Sequence, residues 1–209
     1  MPSDRYFKLN EDKQQRIMEA SMDEFIKSGI HDASINKIIK DADISRGSFY
    51  TYFTDKTELF GYIFRMLKTS AARMIIDEVI KQKGDIFKAA RKLVLRGTEN
   101  PEKAKDKTAV LFDRIMSDFG IIAHLNEVNV GDSGDIFEGL LHEIYTHMNG
   151  LKEHLSEKEF HIIADMMVVM SVKALVTIKK NPEIKDKILN VLYKQYDVME
   201  KGIRGGALK

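Results

Sequence analysis

Apolar side chains recur at three- and four-residue spacing along most of the chain, a pattern that predicts an all-α protein of about nine helices. The first runs from Asn10, a capping residue, to about Ser28 on Ile17, Met18, Met22, Phe25 and Ile26, with Gly29 as its stop. Two short units follow: Ser34 to Ala42, carrying Ile35, Ile38, Ile39 and Ala42 on one side, and Ser45 to about Tyr50. Each opens on a serine whose oxygen can accept an otherwise orphan backbone N–H. The Asp43-Ile44 connection is very short, and two helices joined so tightly at a large angle have the shape of a helix-turn-helix.

A fourth helix opens near Asp55, where Asp55 and Glu58 resemble a capping box, and continues through Leu59, Tyr62, Ile63, Met66, Leu67, Ile75, Val79 and Ile80. At roughly 25 residues it is about 37 Å long. The expected organisation is a three-helix N-terminal domain over 1–54 and a larger helical domain over 55–209, with helix 55–81 as a rigid connector. Gly84-Asp85 opens a further helix ending near Gly97, and Asn100-Pro101 starts another; the pattern leaves open how 101–135 divides, with 126–135 read as loop. Ile136 to about His154 is helical again, and Asn149-Gly150 is a candidate break.

Ser156 and Glu159 make a capping box, with Leu155 placed to staple onto Phe160. The helix they start, 157–179, is apolar nearly all round, and Asn181-Pro182 begins a last one carrying Ile184, Ile188, Leu189, Leu192, Tyr196 and Met199. An all-round apolar helix needs cover on two sides. One side is its own core; the other is expected to be a second copy, so that helices 157–179 and 182–201 and their symmetry mates form a four-helix homodimer interface. A helix central to a monomeric core is the competing reading. The run Ile162 to Ile178 contains Asp165 and Lys173, which argues against a membrane span.

Composition changes the picture in a few places. Hydrophobic content of 44% and charged content of 31% describe an ordinary soluble protein. The absence of cysteine excludes a disulfide framework, a thiolate nucleophile and a cysteine-based metal site. The first residues carry charge and lack the apolar stretch of a secretory signal, so a cytoplasmic location is expected. Net charge is +1, and residues 1–60 hold nine Lys/Arg against eleven Asp/Glu, a net of −2. Any DNA binding must therefore rest on local geometry.

The run from Ser34 to Phe60, SINKIIKDADISRGSFYTYFTDKTELF, carries that geometry. With Ser45 as cap, the first turn of the second short helix presents Arg46, Gly47 and Ser48, the part of a recognition helix that lies nearest the base edges. Arg46 has paired donors for guanine O6 and N7 or for a phosphate, Gly47 permits close approach, and Ser48 suits either. Lys56, in the first turn of the next helix, is a candidate phosphate contact, with Tyr50, Tyr52 and Thr54 offering hydroxyls. Ser34 and Lys37 on the preceding helix complete the candidate set.

This run resembles the DNA-binding signature of the TetR family of transcriptional regulators, I-A-x-x-A-G-V-S-x-G-x-x-Y-x-Y/H-F followed by K-x-x-L. Ile38, Ala42, Ile44, Ser45, Gly47, Tyr50, Tyr52, Phe53, Lys56 and Leu59 match it, while Ile39 stands for the frequent alanine and Asp43 for the usual glycine of the turn. Asp tolerates the left-handed conformation such a turn asks for. The resemblance covers about residues 10–60. It implies a homodimer that presents two recognition helices to a palindromic double-stranded DNA operator and a second domain whose small-molecule effector changes their spacing and releases the DNA.

An effector pocket is expected between bundle helices within 61–180. Met66, Met116, Phe119, His124, Phe137, Leu141, Tyr145, Met148, Met167 and Met170 are its candidate walls, and their character suits an apolar or aromatic molecule. Core packing is the simpler role for each taken singly. No metal is expected: His142 and His147 are five apart and turn away from each other, and His147, His154 and His161 straddle the break at Ser156, leaving these and His124 as exposed or core-edge groups. No Gly-rich phosphate loop, HExxH or G-x-S-x-G element appears, so neither catalysis nor a cofactor is expected. The alternative is a helical small-molecule-binding or scaffold protein without sequence-specific DNA binding.

Overall fold

The computed structural model describes residues 1–99, 107–117 and 133–205, less the side chains of 112–113, 116–117 and 133–137. Among the described residues all regular structure is helical: α1 (Asp4–Phe7), α2 (Glu11–Asp32), α3 (Ile35–Asp41), α4 (Arg46–Tyr52), α5 (Lys56–Lys81), α6 (Ile86–Gly97), α7 (Lys107–Ser117), α8 (Ser133–His147), α9 (Glu157–Lys180) and α10 (Lys185–Arg204). The chain divides into two compact units, Met1–Ser70 with Pro101–His124 and Ala71–Asn100 with Leu125–Lys209. The division falls inside α5 rather than before it, because Leu59, Phe60, Ile63 and Leu67 of its first turns are buried side chains of the N-terminal unit.

Local chemistry sets the helix ends. Asn10 accepts the Lys13 N–H at 2.9 Å and opens α2, and Gly29 at φ 75° kinks that helix three residues before its end. Asp55 accepts the Glu58 N–H at 2.8 Å at the start of α5, but Glu58 reaches past it to the Thr54 N–H, so the reciprocal half of the expected capping box is displaced by one residue. Ser156 and Glu159 form a complete capping box on α9. Gly84 has φ 82°, and a Cβ there would lie 2.3 Å from the His147 carbonyl oxygen, so the α5–α6 turn and the end of α8 meet only because the side chain is absent. Asn149-Gly150 does end α8, but that helix begins at Ser133, inside the segment expected to be loop. The last helix is preceded by a 3₁₀ turn, Pro182–Ile184, and the Asn181 side chain makes no capping bond.

One element of the N-terminal unit has no apolar repeat to announce it. α1 is a single turn, and its Tyr6 is buried, with ring centroids 5.0 Å from Phe53 and 5.6 Å from Tyr62. Phe25 meets Phe60 at 5.1 Å in the same unit, and α7 packs on α2 through buried Leu111 and Ile115, with Lys107 Nζ 2.7 Å from Asp23 Oδ2.

The second unit is built around Phe87, Leu141, Met148, Phe160, Met167, Leu192 and Tyr196. Among the described residues α9 is the one helix long and apolar enough, by length and composition, to cross a membrane. Its Phe160, Ile163, Met167, Ala174 and Ile178 nevertheless face this core.

Truncating a buried aromatic residue costs about 3 kcal/mol, and Tyr6→Ala is expected to lower stability by about that amount. The readout is denaturation followed by far-ultraviolet circular dichroism. A loss under about 1 kcal/mol would mean that the α1 turn is not docked on the N-terminal unit.

Candidate nucleic-acid interface

The site is built on α3, α4 and the turn between them. Asp43 stands at φ 52°, the left-handed conformation that lets α3 stop at Asp41 and the chain reverse within a few residues. The Ser45 side chain accepts the Ser48 N–H at 3.0 Å and caps α4. At the other end Ser3 closes the helix: its N–H donates to the Tyr52 carbonyl at 3.0 Å and its hydroxyl to the Thr51 carbonyl at 2.7 Å. One side of α4 puts Phe49 and Tyr52 into the core, with Phe53 just beyond, and the opposite side is thereby forced outward.

Ser45, Arg46, Gly47 and Tyr50 are all exposed on that outward side, with Ser48 half-buried beside them and its Oγ 2.9 Å from the Ser45 Oγ. The Arg46 guanidinium donates through Nη1 to Asn36 Oδ1 at 2.7 Å and through Nη2 to the Tyr50 hydroxyl at 3.3 Å, and lies 5.4 Å from the Tyr50 ring centroid. A guanidinium carries five N–H donors, so three remain for a base edge or a phosphate.

The other candidates are placed differently. Ser34 precedes α3 without a side-chain capping bond, and Lys37 is exposed, its Nζ 3.6 Å from Glu24 Oε2. Tyr52 is not a surface hydroxyl: its position on the inward side of α4 buries it near Tyr6, ring centroids 6.3 Å apart. Thr54 is exposed, but its N–H and hydroxyl both donate to Glu58 Oε2, at 2.6 and 2.9 Å. The Lys56 ammonium faces into the protein, donating to the carbonyl of His31 and, at 3.3 Å, to that of Ala33, where α2 ends.

Of the candidate effector walls, Leu141, Met148 and Met167 are buried in the second unit's core, and Tyr145 and Met170 pack against it. Met66 does not face inward; it belongs to the N-terminal unit and is 46% exposed. Phe119 and His124, and the side chains of Met116 and Phe137, lie outside the described residues. Among the described residues, a cavity of about 170 Å³ is bordered by Lys83, Asp85, Asn149 and Arg204 and another of about 180 Å³ by Phe25, Phe60, Leu111 and Arg114; neither includes a candidate wall. Among the described residues no three His, Asp or Glu side chains are grouped to hold a metal.

Sequence reasoning missed two residues of this region, Asn36 and Glu24. Glu24 is a buried carboxylate in α2 that accepts the Ser34 N–H at 2.9 Å and the Ser28 hydroxyl at 3.1 Å. It ties α2 to the start of α3. The available signal was its place: it follows Ile17 and Ser21 at helical spacing on the buried face, where an unpaired charge is costly. Burial pushes the Glu24 carboxyl up, but the Ser34 and Ser28 hydrogen bonds and the Lys37 ammonium outweigh it and hold the carboxyl below its ordinary value.

The family model described as bacterial regulatory proteins, tetR family, matches residues 17–63, the span from mid-α2 into α5. The HTH-type transcriptional regulator AcrR of Shigella flexneri is 24% identical over 107 residues, 50% of this chain and 50% of its own length. The chain spans about half the length of the curated relatives it matches. A crystal structure described as a tetR family transcription regulator from Shewanella sp. PV-4 is similar in fold at a TM-score of 0.59 and 17% identity, covering 90% of this chain and 96% of that one. The transcriptional regulator FadR from Bacillus subtilis, solved in complex with stearoyl-CoA, gives 0.51 at 18% identity, covering 86% and 97%.

A carboxylate whose folded pKa is depressed contributes stability that is fully present above its unfolded pKa and is lost as pH falls through the folded one. For Glu24, with an ordinary value of 4.5, the loss sets in below about that pH. Glu24→Gln is expected to flatten the acid limb of a melting-temperature profile below about pH 4.5. A variant with the parent's profile would show that Glu24 contributes nothing to it.

Proposed function

We propose, from the premise that this chain belongs through residues 17–63 to the tetR family of bacterial regulatory proteins, that it is a transcriptional regulator: a homodimer that binds a palindromic DNA operator and is released by a small apolar or aromatic effector. The observation that carries the proposal is the exposed edge of α4. Arg46, Gly47 and Tyr50 stand outward there, and Arg46 keeps three free donors. A capped helix that offers its first turn in this way suits the major groove, with Arg46 bidentate to guanine or to a phosphate. Lys37 and the hydroxyls of Ser45, Ser48 and Tyr50 serve as backbone-positioning contacts, while the Thr54 hydroxyl, donating to Glu58, holds the start of α5 instead. Lys56, directed at the carbonyls that end α2, holds the fold of the domain and keeps one N–H for a phosphate.

Dimerisation is supported by the second face of α9 and by α10. Ile162, Met166 and Val169 follow one another at helical spacing and remain exposed, Ile162 at 62% and Val169 at 59%, as do Val191 and Val198 on α10. Exposed apolar side chains in this number call for cover. A second copy supplies it through a twofold pairing of α9 and α10, the isologous arrangement that leaves no open surface to propagate. The effector is assigned to the second unit, beside Leu141, Tyr145, Met148, Met167 and Met170, where adaptable methionines suit an apolar guest. The stearoyl-CoA held by the Bacillus subtilis neighbour shares with such a guest its long apolar acyl chain, though its CoA head is charged. Such a regulator works in the cytoplasm, binding DNA rather than catalysing a reaction.

Wild-type chain is expected to enrich a palindromic duplex from a random-sequence DNA pool, and Arg46→Ala to weaken binding to it about ten-fold or more while binding to a scrambled duplex changes little. Failure to enrich any sequence would favour a helical binding or scaffold protein without operator recognition. Replacing Ile162 and Val169 together by Glu is expected to convert a dimer to a monomer in sedimentation or light scattering. An unchanged mass would remove the α9 interface.

A further inference from the structure

Arg46 is not a free arm. On α4 it stands exposed, yet its guanidinium is held from two directions: Asn36, ten residues earlier on α3, accepts from Nη1 at 2.7 Å, and Tyr50, one turn later on α4, accepts from Nη2 at 3.3 Å with its ring alongside. An unrestrained arginine samples many rotamers, and ordering it on a ligand weakens binding. Here one rotamer is already selected in the unbound chain. The remaining donors then present a fixed direction toward whatever approaches the start of α4.

Asn36 suits this role by chemistry and by place. Its carboxamide oxygen accepts from the arginine without adding a negative charge, which an aspartate or glutamate would bring close to DNA phosphates. Exposed in the first turn of α3, it joins the two helices of the helix-turn-helix through a side-chain bond that the turn itself does not supply. Lys37, beside it in sequence, is directed toward Glu24 instead, so the two neighbours have separate partners.

We infer that Asn36 is a specificity-determining positioning residue, acting through Arg46: it pre-orients the guanidinium, and sequence discrimination at the base that Arg46 reads depends on it. The inference rests on the regulator reading above, and the experiment separates the two. The probes are the duplex that the wild-type chain enriches from a random pool and a scrambled duplex of equal length. Asn36→Ala is expected to lower affinity for the enriched duplex roughly 3- to 10-fold. The scrambled duplex and the slope of affinity against salt should stay unchanged, since no phosphate contact is removed.

The decisive comparison is a double-mutant cycle. In the Arg46→Ala background the same Asn36 change should cost less than about two-fold, because its partner is already gone. Repeating the selection with Asn36→Ala should relax base preference at the position that Arg46→Ala relaxes, and Asn36→Asp, which keeps the acceptor, should restore preference there even where overall affinity is lower. Melting temperatures of the variants serve as the folding control. Equal losses from Asn36→Ala with and without Arg46, or a shallower salt slope, would overturn the inference and make Asn36 a direct phosphate contact; no loss at all would overturn it too. If Arg46→Ala binds the enriched duplex as wild type does, the inference fails while the regulator reading stands; if no duplex is enriched, it is the regulator reading itself that fails.

Discussion

The arrangement of the N-terminal unit depends on one burial. A seven-residue helix does not persist in water by itself, because nucleation is unfavourable and few backbone bonds form. α4 is held by its inward side: Phe49 and Tyr52 are buried, Phe53 follows them, and Tyr6 closes over the latter two. The serines at its two ends, Ser45 and Ser3, satisfy backbone groups that the short helix leaves over. Once that side is fixed, the directions of Arg46, Gly47 and Tyr50 follow from helix geometry.

Charge in this unit has to be read group by group. Residues 1–60 have a net charge of −2, which by itself would repel DNA. Several of the carboxylates are engaged within the fold, however: Asp55 caps α5, Glu58 accepts from Thr54, and Glu24 accepts from Ser34 and Ser28 and attracts Lys37. The carboxylates hold helix ends, while the Arg46 guanidinium stands at the exposed start of α4. A sum over residues conceals that division of roles.

In the second unit the informative element is α9. Its buried residues Phe160, Ile163, Met167, Ala174 and Ile178 recur at three, four and seven positions and line the core, while Ile162, Met166 and Val169 repeat the same spacing one step out of phase. Two apolar stripes on one helix mean two surfaces to cover. Among the described residues only the first is covered. Polar contacts in this unit tie helices together: Ser171 meets the Tyr196 hydroxyl, and at the surface Arg91 pairs with Asp197.

Most helices, their starts and the tight turn at Asp43 were determined by the sequence alone, because each rests on groups within a few positions: apolar spacing, a serine or asparagine before a helix, a residue that accepts positive φ. Other local features escaped for local reasons: α1 is too short to show a repeat, Glu58 reaches Thr54 rather than Asp55, Ser34 makes no capping bond, α8 begins inside the segment read as loop, and Asn181 leads into a 3₁₀ turn without capping it. What only the tertiary structure decided are pairings between distant positions: Ser3 with Thr51, Glu24 with Ser34, Lys56 with His31, Asn36 with Arg46, and the burial of Tyr52 beneath Tyr6. A periodic pattern tells which side of a helix is apolar. It does not tell which polar group another helix brings to meet it, since that depends on the angle and depth at which the two pack.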